Sequence, residues 1–329
     1  MGIVLNSLVY SYQEGLILMS RSTEKTMKAA MKYLNEHATG DESEEELNDL
    51  LKEFIVDYNS KLHDDNVEFT VDDYLEMAEE ADSDEEELEF INLALGLDPD
   101  NIDAQVKLIE ADSKTYEEEI ERLNDKIEEV KLKYKDDYKN SVGEFYMVFH
   151  TRPIIRLYYG LMVDYIECNM LGKAKSIAEE ILRLNENDNL GARYNLIGLY
   201  AYFEEEDKAL ELVKKYGDED NFESQFLLNL AILYYKKCDF VKSEEYIKQL
   251  NKTNKSFKKF AKSFEDCTIM DMVYEIDSPM YQRGTLNELV MDYVSNRYLY
   301  NSMLSFFDFA QRCLKKKPSK KKANNKKLS

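Results

Sequence analysis

Three columns of residues recur between Arg156 and Leu250 at a fixed spacing, and they narrow the folds open to this chain. Leu161, Leu196 and Leu230 form the first column, Tyr165, Tyr200 and Tyr234 the second, and Ala174, Ala209 and Ser243 the third. Each column steps by about 35 and then about 34 residues, a period that belongs to units built from one antiparallel helix pair each. The leucine and tyrosine lie on the first helix of a pair and face inward. The small residue falls on the second helix, where it lets two backbones approach closely.

This is the period of the tetratricopeptide repeat. It predicts three helix pairs, 154–168/171–184, 189–203/206–216 and 222–237/240–250, with Gly172 and Gly217 at turns. Pro153 suits the first turn of the first of these helices. Upstream, Asp72–Ala81 and Glu85–Leu97 form a degenerate pair that closes with Ala94, Leu95 and Pro99. Ile102–Ala111 and a long Tyr116–Tyr138 helix follow; the latter carries an apolar stripe of Ile120, Leu123, Ile127, Val130 and Tyr134. The expected fold is all-α: a tetratricopeptide-type α-solenoid of antiparallel helix pairs forming a right-handed superhelix, with extra N- and C-terminal helices. The segments are an N-terminal helical region 1–66, degenerate repeats 67–150, three repeats 151–252, a C-terminal helical cap 253–314 and a disordered lysine-rich tail 315–329.

Composition agrees with this. The chain is 44% hydrophobic with 11 Gly and 4 Pro in 329 residues, too few breakers for a turn-rich β fold. Residues 1–18 are apolar but lack a basic leader and a clear cleavage site, so they do not read as a signal peptide. They are a packing or interfacial segment, or they precede a true start at Met19. Residues 20–38 read as a helix closed by His37 and Gly40, and the acidic run 41–46 as a solvated loop or helix start ahead of Leu47–Tyr58. Near the C-terminus, Lys255–Phe264 is a short helix and 278–284, with Pro279 and Gly284, a loop. Thr285 with Glu288 has the capping-box spacing that opens the next helix. Asn301-Ser302 breaks it before Phe306–Leu314.

The formal net charge of −23 repels nucleic-acid phosphates and anionic lipid headgroups, so neither nucleic acid nor membrane is an expected partner. Such a surface serves solubility or favours basic partners. The cysteines at 168, 238, 267 and 313 form no CxxC pair and suit a reducing, cytoplasmic setting. His37, His63 and His150 are isolated, and DSDEEELE at 82–89 lacks the central glycine of a calcium loop. GxGxxG, P-loop, GxSxG and HExxH motifs are all missing. Neither a cofactor nor catalysis is expected.

Two short stretches carry a resemblance beyond the generic repeat. The entry Thr151-Arg152-Pro153-Ile154-Ile155-Arg156 and the junction Leu184-Asn185-Glu186-Asn187-Asp188-Asn189-Leu190-Gly191-Ala192-Arg193-Tyr194 resemble those of bacterial tetratricopeptide-repeat proteins related to the suppressor-of-tumorigenicity-seven family. The family places Pro where Glu186 stands. The resemblance extends upstream to Leu97–Leu108 and downstream to Gly284–Glu288, covering about residues 85–310. It implies the fold and assigns no enzymatic activity.

In such a superhelix the first helix of each pair lines the groove. That register puts Arg156, Tyr159, Tyr194, Tyr202, Gln225, Asn229 and Tyr235 on the groove side, with Arg152 and Arg193 beside its entry. Tyrosines with arginines at one end could take an extended peptide or a carboxylate; alternatively, the tyrosines pack against the C-terminal helices. The arginines could equally bind internal carboxylates such as Asp164, Glu167 or Asp188. The lysine–asparagine clamp of chaperone-binding repeats is not reproduced, since Tyr159, Tyr194 and Leu228 stand at its lysine positions. The expected function is a protein-interaction scaffold, or a structural or regulatory subunit whose groove is covered; an enzyme with an unrecognised site is the third reading.

Overall fold

The computed structural model describes residues 24–38, 42–61, 69–217, 223–276 and 281–315. Residues 1–18 and 316–329, Gly40, His63 and Pro279 lie outside that set. Among the described residues all regular structure is helical. The chain divides into two compact units, Met1–Ala192 and Arg193–Ser329, a boundary that falls inside the segment 151–252.

The first unit holds α1 (24–37), α2 (Glu44–Lys61), α3 (Val71–Glu79), α4 (Asp84–Leu97), α5 (Ile102–Asp112), α6 (Tyr116–Lys133), α7 (Asp137–Asn140), α8 (Arg152–Glu167) and α9 (Leu171–Leu184). Side chains start its early helices. Thr70 and Asp73 form a reciprocal capping box on α3, Ser83 caps α4 by accepting from Glu86 N, Asn101 caps α5, and Thr115 caps α6. The acidic run 82–87 is thus the start of α4, with Asp84, Glu85, Glu86 and Glu87 at the positive end of the helix. The long helix expected to reach Tyr138 stops at Lys133, and the short α7 follows.

The entry and the junction meet physically. Gly143 N and Phe145 N both donate to Leu184 O at 3.1 and 3.0 Å, and Glu186 N donates back to Gly143 O at 2.9 Å. Gly143 sits at φ 93, which a residue with a Cβ resists. Thr151 donates its hydroxyl to Phe145 O at 2.5 Å, and Asp188 Oδ1 accepts from Ala192 N at 2.7 Å. The two motifs therefore stitch the chain before α8 to the chain after α9.

The second unit continues with α10 (Ala192–Phe203), α11 (Glu206–Tyr216), α12 (Ser224–Lys236), α13 (Phe240–Thr253), α14 (Phe257–Glu265), α15 (Ile269–Tyr274), α16 (Leu286–Asn301) and α17 (Leu304–Lys315). All nine column residues, from Leu161 to Ser243, are buried. Ser243 is neutralised there by donating to Ala231 O at 2.8 Å.

A fourth column exists that composition hides. Asn169, Glu204 and Cys238 occupy the left-handed region at φ 55, 60 and 60. Each follows a first helix, and the next residue's N–H reaches back to the carbonyl of the column tyrosine: Met170 to Tyr165, Glu205 to Tyr200 and Asp239 to Tyr234, at 2.7, 3.0 and 2.9 Å. This is the Schellman helix ending, usually built on glycine. Cys267 at φ 57, with Thr268 N donating to Ser263 O at 2.9 Å, repeats it between α14 and α15.

Candidate functional site

The candidate surfaces are the faces presented by the first helix of each pair. In the first unit, Arg152 is buried with its guanidinium over the rings of Phe149 and Tyr146, at 4.2 and 4.9 Å, and its Nε donates to Tyr146 O at 2.6 Å. Tyr159 is buried. Arg156 is also buried: it clamps Asp103 of α5 through Nε and Nη2 at 2.8 and 2.6 Å, while Nη1 donates to Glu24 of α1 at 2.9 Å. Burial alone would lower its pKa, but Asp103 and then Glu24 outweigh that and hold it above its ordinary value. These carboxylates lie 53 and 132 residues upstream, beyond the reach of any local spacing rule.

Glu24 is one end of a clip. Beside it, Lys25 Nζ bridges Asp73 and Glu76 of α3 at 2.6 and 3.0 Å. Burial opposes its charge, yet the two carboxylates raise the Lys25 pKa; Lys25 and Thr70 likewise hold Asp73 below its usual value despite burial. The rest of α1 is poorly covered. Met27 and Met31 are exposed, and Tyr33 meets Phe54 of α2 at 5.7 Å between ring centroids.

In the second unit the predicted groove positions meet the C-terminal segment. Gln225 Nε2 donates to the Tyr281 hydroxyl at 3.1 Å. Asn229 Nδ2 donates to both Asp292 oxygens at 3.4 and 3.2 Å. Tyr202 packs on Tyr298, with centroids 5.7 Å apart, and Tyr235 on Phe306 and Phe309 at 5.6 and 5.2 Å. Tyr194 accepts at its carbonyl from Asn296 Nδ2 at 3.0 Å. Arg193 lies 4.1 Å over the Tyr194 ring and donates to its hydroxyl at 2.5 Å. Arg156 and Arg193 belong to different units.

Four residues of α16 organise this contact, and the groove register does not name them. Glu288, Asp292, Asn296 and Tyr300 stand at successive four-residue steps, hence on one helix stripe, and all four are buried. Glu288 accepts from Ser224 N and Oγ at 3.0 and 2.8 Å, so a carboxylate sits at the positive end of α12. It also accepts from Gly284 N at 2.6 Å, while Thr285 donates to Gln282 O at 2.5 Å. The capping box expected of Thr285 and Glu288 is therefore not formed, because the interhelix contact takes the glutamate. Asp292 accepts from Tyr300, from Asn296 at 2.9 Å and from Asn229. Burial pushes its carboxyl up to about 7, against those hydrogen bonds and with help from Glu288. The detectable signal was the four-residue polar stripe in an apolar stretch that lacks a facing cation.

Gly198 of α10 makes this approach possible. A Cβ there would lie 2.1 Å from Asn296 Oδ1. Asn296 itself leaves helical geometry at φ −126, ψ 27, which kinks α16 at the point of contact.

Among the described residues no cluster of three or more histidine, cysteine or acidic side chains is arranged to hold a metal ion, and no helix is long and apolar enough to cross a membrane. No protein-family model, curated protein or solved structure matches the chain.

Proposed function

We propose that the chain is a non-catalytic, cytoplasmic interaction protein of the tetratricopeptide type, acting as a structural or regulatory subunit. In this reading the first-helix face of the second unit is filled by the chain itself, and partner contact falls to the first unit. One observation carries it. Gln225 and Asn229, both groove positions in the repeat register, are buried and hydrogen-bonded to Tyr281 and Asp292. A peptide could reach them only by displacing α16, whose Leu289, Val290, Met291 and Leu299 are all buried. Each fully buried side chain of that kind is worth about 1.5–3 kcal/mol, which an incoming peptide would have to replace.

The buried pair Glu288 and Asp292 is the strongest carboxylate arrangement in the second unit. Its oxygens are engaged by Ser224, Asn229, Asn296 and Tyr300, which suits a structural lock better than acid–base chemistry. The fine repeat type rests on the four columns, and the family placement on the entry and junction residues that stitch α8 and α9 together.

A photo-crosslinking residue placed at Glu76, on the first unit, or at Tyr202, on the second, tests the reading in the native cell. Partner adducts at position 76 and none at 202 are expected. Adducts at 202 alone would return the groove function to the second unit.

A further inference from the structure

The first unit carries its own trial ligand. α1 reaches it through two adjacent side chains of opposite charge, each meeting its complement on a different first helix. Glu24 binds Arg156 of α8 at 2.9 Å, and Lys25 binds Asp73 and Glu76 of α3. Asp103 of α5 lies beside the same guanidinium, at 2.6 Å from Arg156 Nη2. α1 is amphipathic: Lys25 meets the acids of α3, Lys28 and Lys32 are exposed, with Lys28 paired to Glu24 of its own helix at 2.7 Å, and Ala29, Ala30, Tyr33 and Leu34 are half-buried. Beyond its first turn the helix contributes little buried apolar area, and Met27 and Met31 remain 43% and 48% exposed.

We infer that α1 is a tethered, displaceable occupant of a helix-binding site on the first unit, and that the site's external ligand is a lysine-bearing amphipathic helix with a carboxylate in its first turn. Three observations converge on this. The seated segment belongs to the chain and is charge-complementary to the face at two separate points. Arg156 holds Asp103 through Nε and Nη2 and Glu24 through Nη1, so the clamp on Asp103 and the contact with α1 use different nitrogens. The attachment is confined to the first turn of the helix, where the Glu24–Arg156 pair is buried and the Lys25 pairs are partly exposed, and no side chain of α1 beyond Glu24 is fully buried, so exchange breaks these polar contacts without opening an apolar core. A tethered occupant lowers the apparent affinity for an external helix by the fraction of molecules in which the site is vacant. This deepens the proposed function, because it assigns the partner class and the regulation of the same first-unit surface.

The test uses the full chain and a fluorescent peptide of residues 24–37. A chain carrying Glu24→Lys and Lys25→Glu, checked for native helix content and melting, has its own α1 repelled from both contacts. It should bind the peptide at least about tenfold more tightly than wild type, as expected when a site occupied nine-tenths of the time is vacated. Adding Glu76→Gln, which removes an acceptor of the peptide's Lys25 and gives the altered α1 no new partner, should reduce the gain. In the unaltered wild-type chain, excess peptide should speed amide exchange of residues 24–37 and leave 286–301 unchanged. Equal peptide affinity in the two chains, or α1 exchange indifferent to peptide, would overturn the inference. So would concentration-dependent dimers in which α1 seats on a second copy. If the peptide fails while partner adducts still form at position 76, the interaction reading stands and this inference alone falls.

Discussion

The two helices α1 and α16, each lying on first helices of its own unit, are held by different physics. α16 in the second unit is buried all round: apolar side chains fill the contact, and a polar stripe satisfies the amides and the helix end it meets. α1 in the first unit is held chiefly by ions at one end. Partly exposed pairs such as Lys25 with Asp73 contribute about 0.2–1 kcal/mol each, and the buried Glu24–Arg156 pair must first offset the desolvation of both charges, whereas each buried leucine or methionine of α16 contributes about 1.5–3. A cover of the first kind can be exchanged; a cover of the second kind is part of the core. The comparison teaches that contact with a helical face does not say whether that face can be vacated. The balance of charge and apolar area in the contact does.

The largest expected effect sharpens the ionic side. Arg156→Ala leaves Asp103 without its clamp in a nearly closed site and should cost the first unit about 3–5 kcal/mol in denaturant unfolding. Glu24→Gln should cost about 1 kcal/mol or less, because α1 can lift and the amide hydrate. Equal losses would mean that α1 is as integral as α5.

Next comes the packing side. Gly198→Ala drives a methyl into Asn296, which is fixed by Tyr194 O and Asp292, and should cost the second unit about 1–3 kcal/mol. An unchanged denaturation midpoint would mean that α16 does not lie against α10.

Acidity should then act on the two covers with opposite sign. The folded pKa of Asp292, about 7, lies above the usual carboxylate value, so its contribution is complete below the unfolded value and is lost as pH rises through 7. From pH 8 to 5 the second unit should gain up to about 1.4 kcal/mol per unit of pH within that window, and Asp292→Asn should flatten the profile. Asp73 is depressed, so its contribution is present above the usual carboxylate value and is lost as pH falls through its lower folded value. The α1 contacts should therefore loosen below about pH 4, which amide exchange on 24–37 at graded pH would register. The smallest effect concerns the fourth column: Glu204→Gly and Cys238→Gly should raise melting slightly, by up to about 1 kcal/mol, through relief of left-handed backbone.

The helix pairs from Arg152 to Thr253 were legible because leucine, tyrosine and small residues must recur wherever identical hairpins pack. The turn column was not, because Asn169, Glu204 and Cys238 share a backbone angle and no side-chain chemistry. The partners of the residues expected on the groove side were not legible. Asp103 and Glu24 find Arg156 across 53 and 132 residues, and Asp292 finds Asn229 across 63. A one-dimensional period carries no information at such separations. Glu288 shows the same limit at short range: its spacing to Thr285 suits a cap, yet Ser224 of another helix takes it.

Hydrogen exchange on the full chain measures both covers at once. Amides of α16 should exchange only with unfolding of the second unit, while those of α1 exchange at least about a hundredfold faster and faster still in about 1 M salt, which screens the partly exposed Lys25 pairs. Equal, salt-insensitive protection of 24–37 and 286–301 would contradict the distinction between a displaceable cover and a core helix.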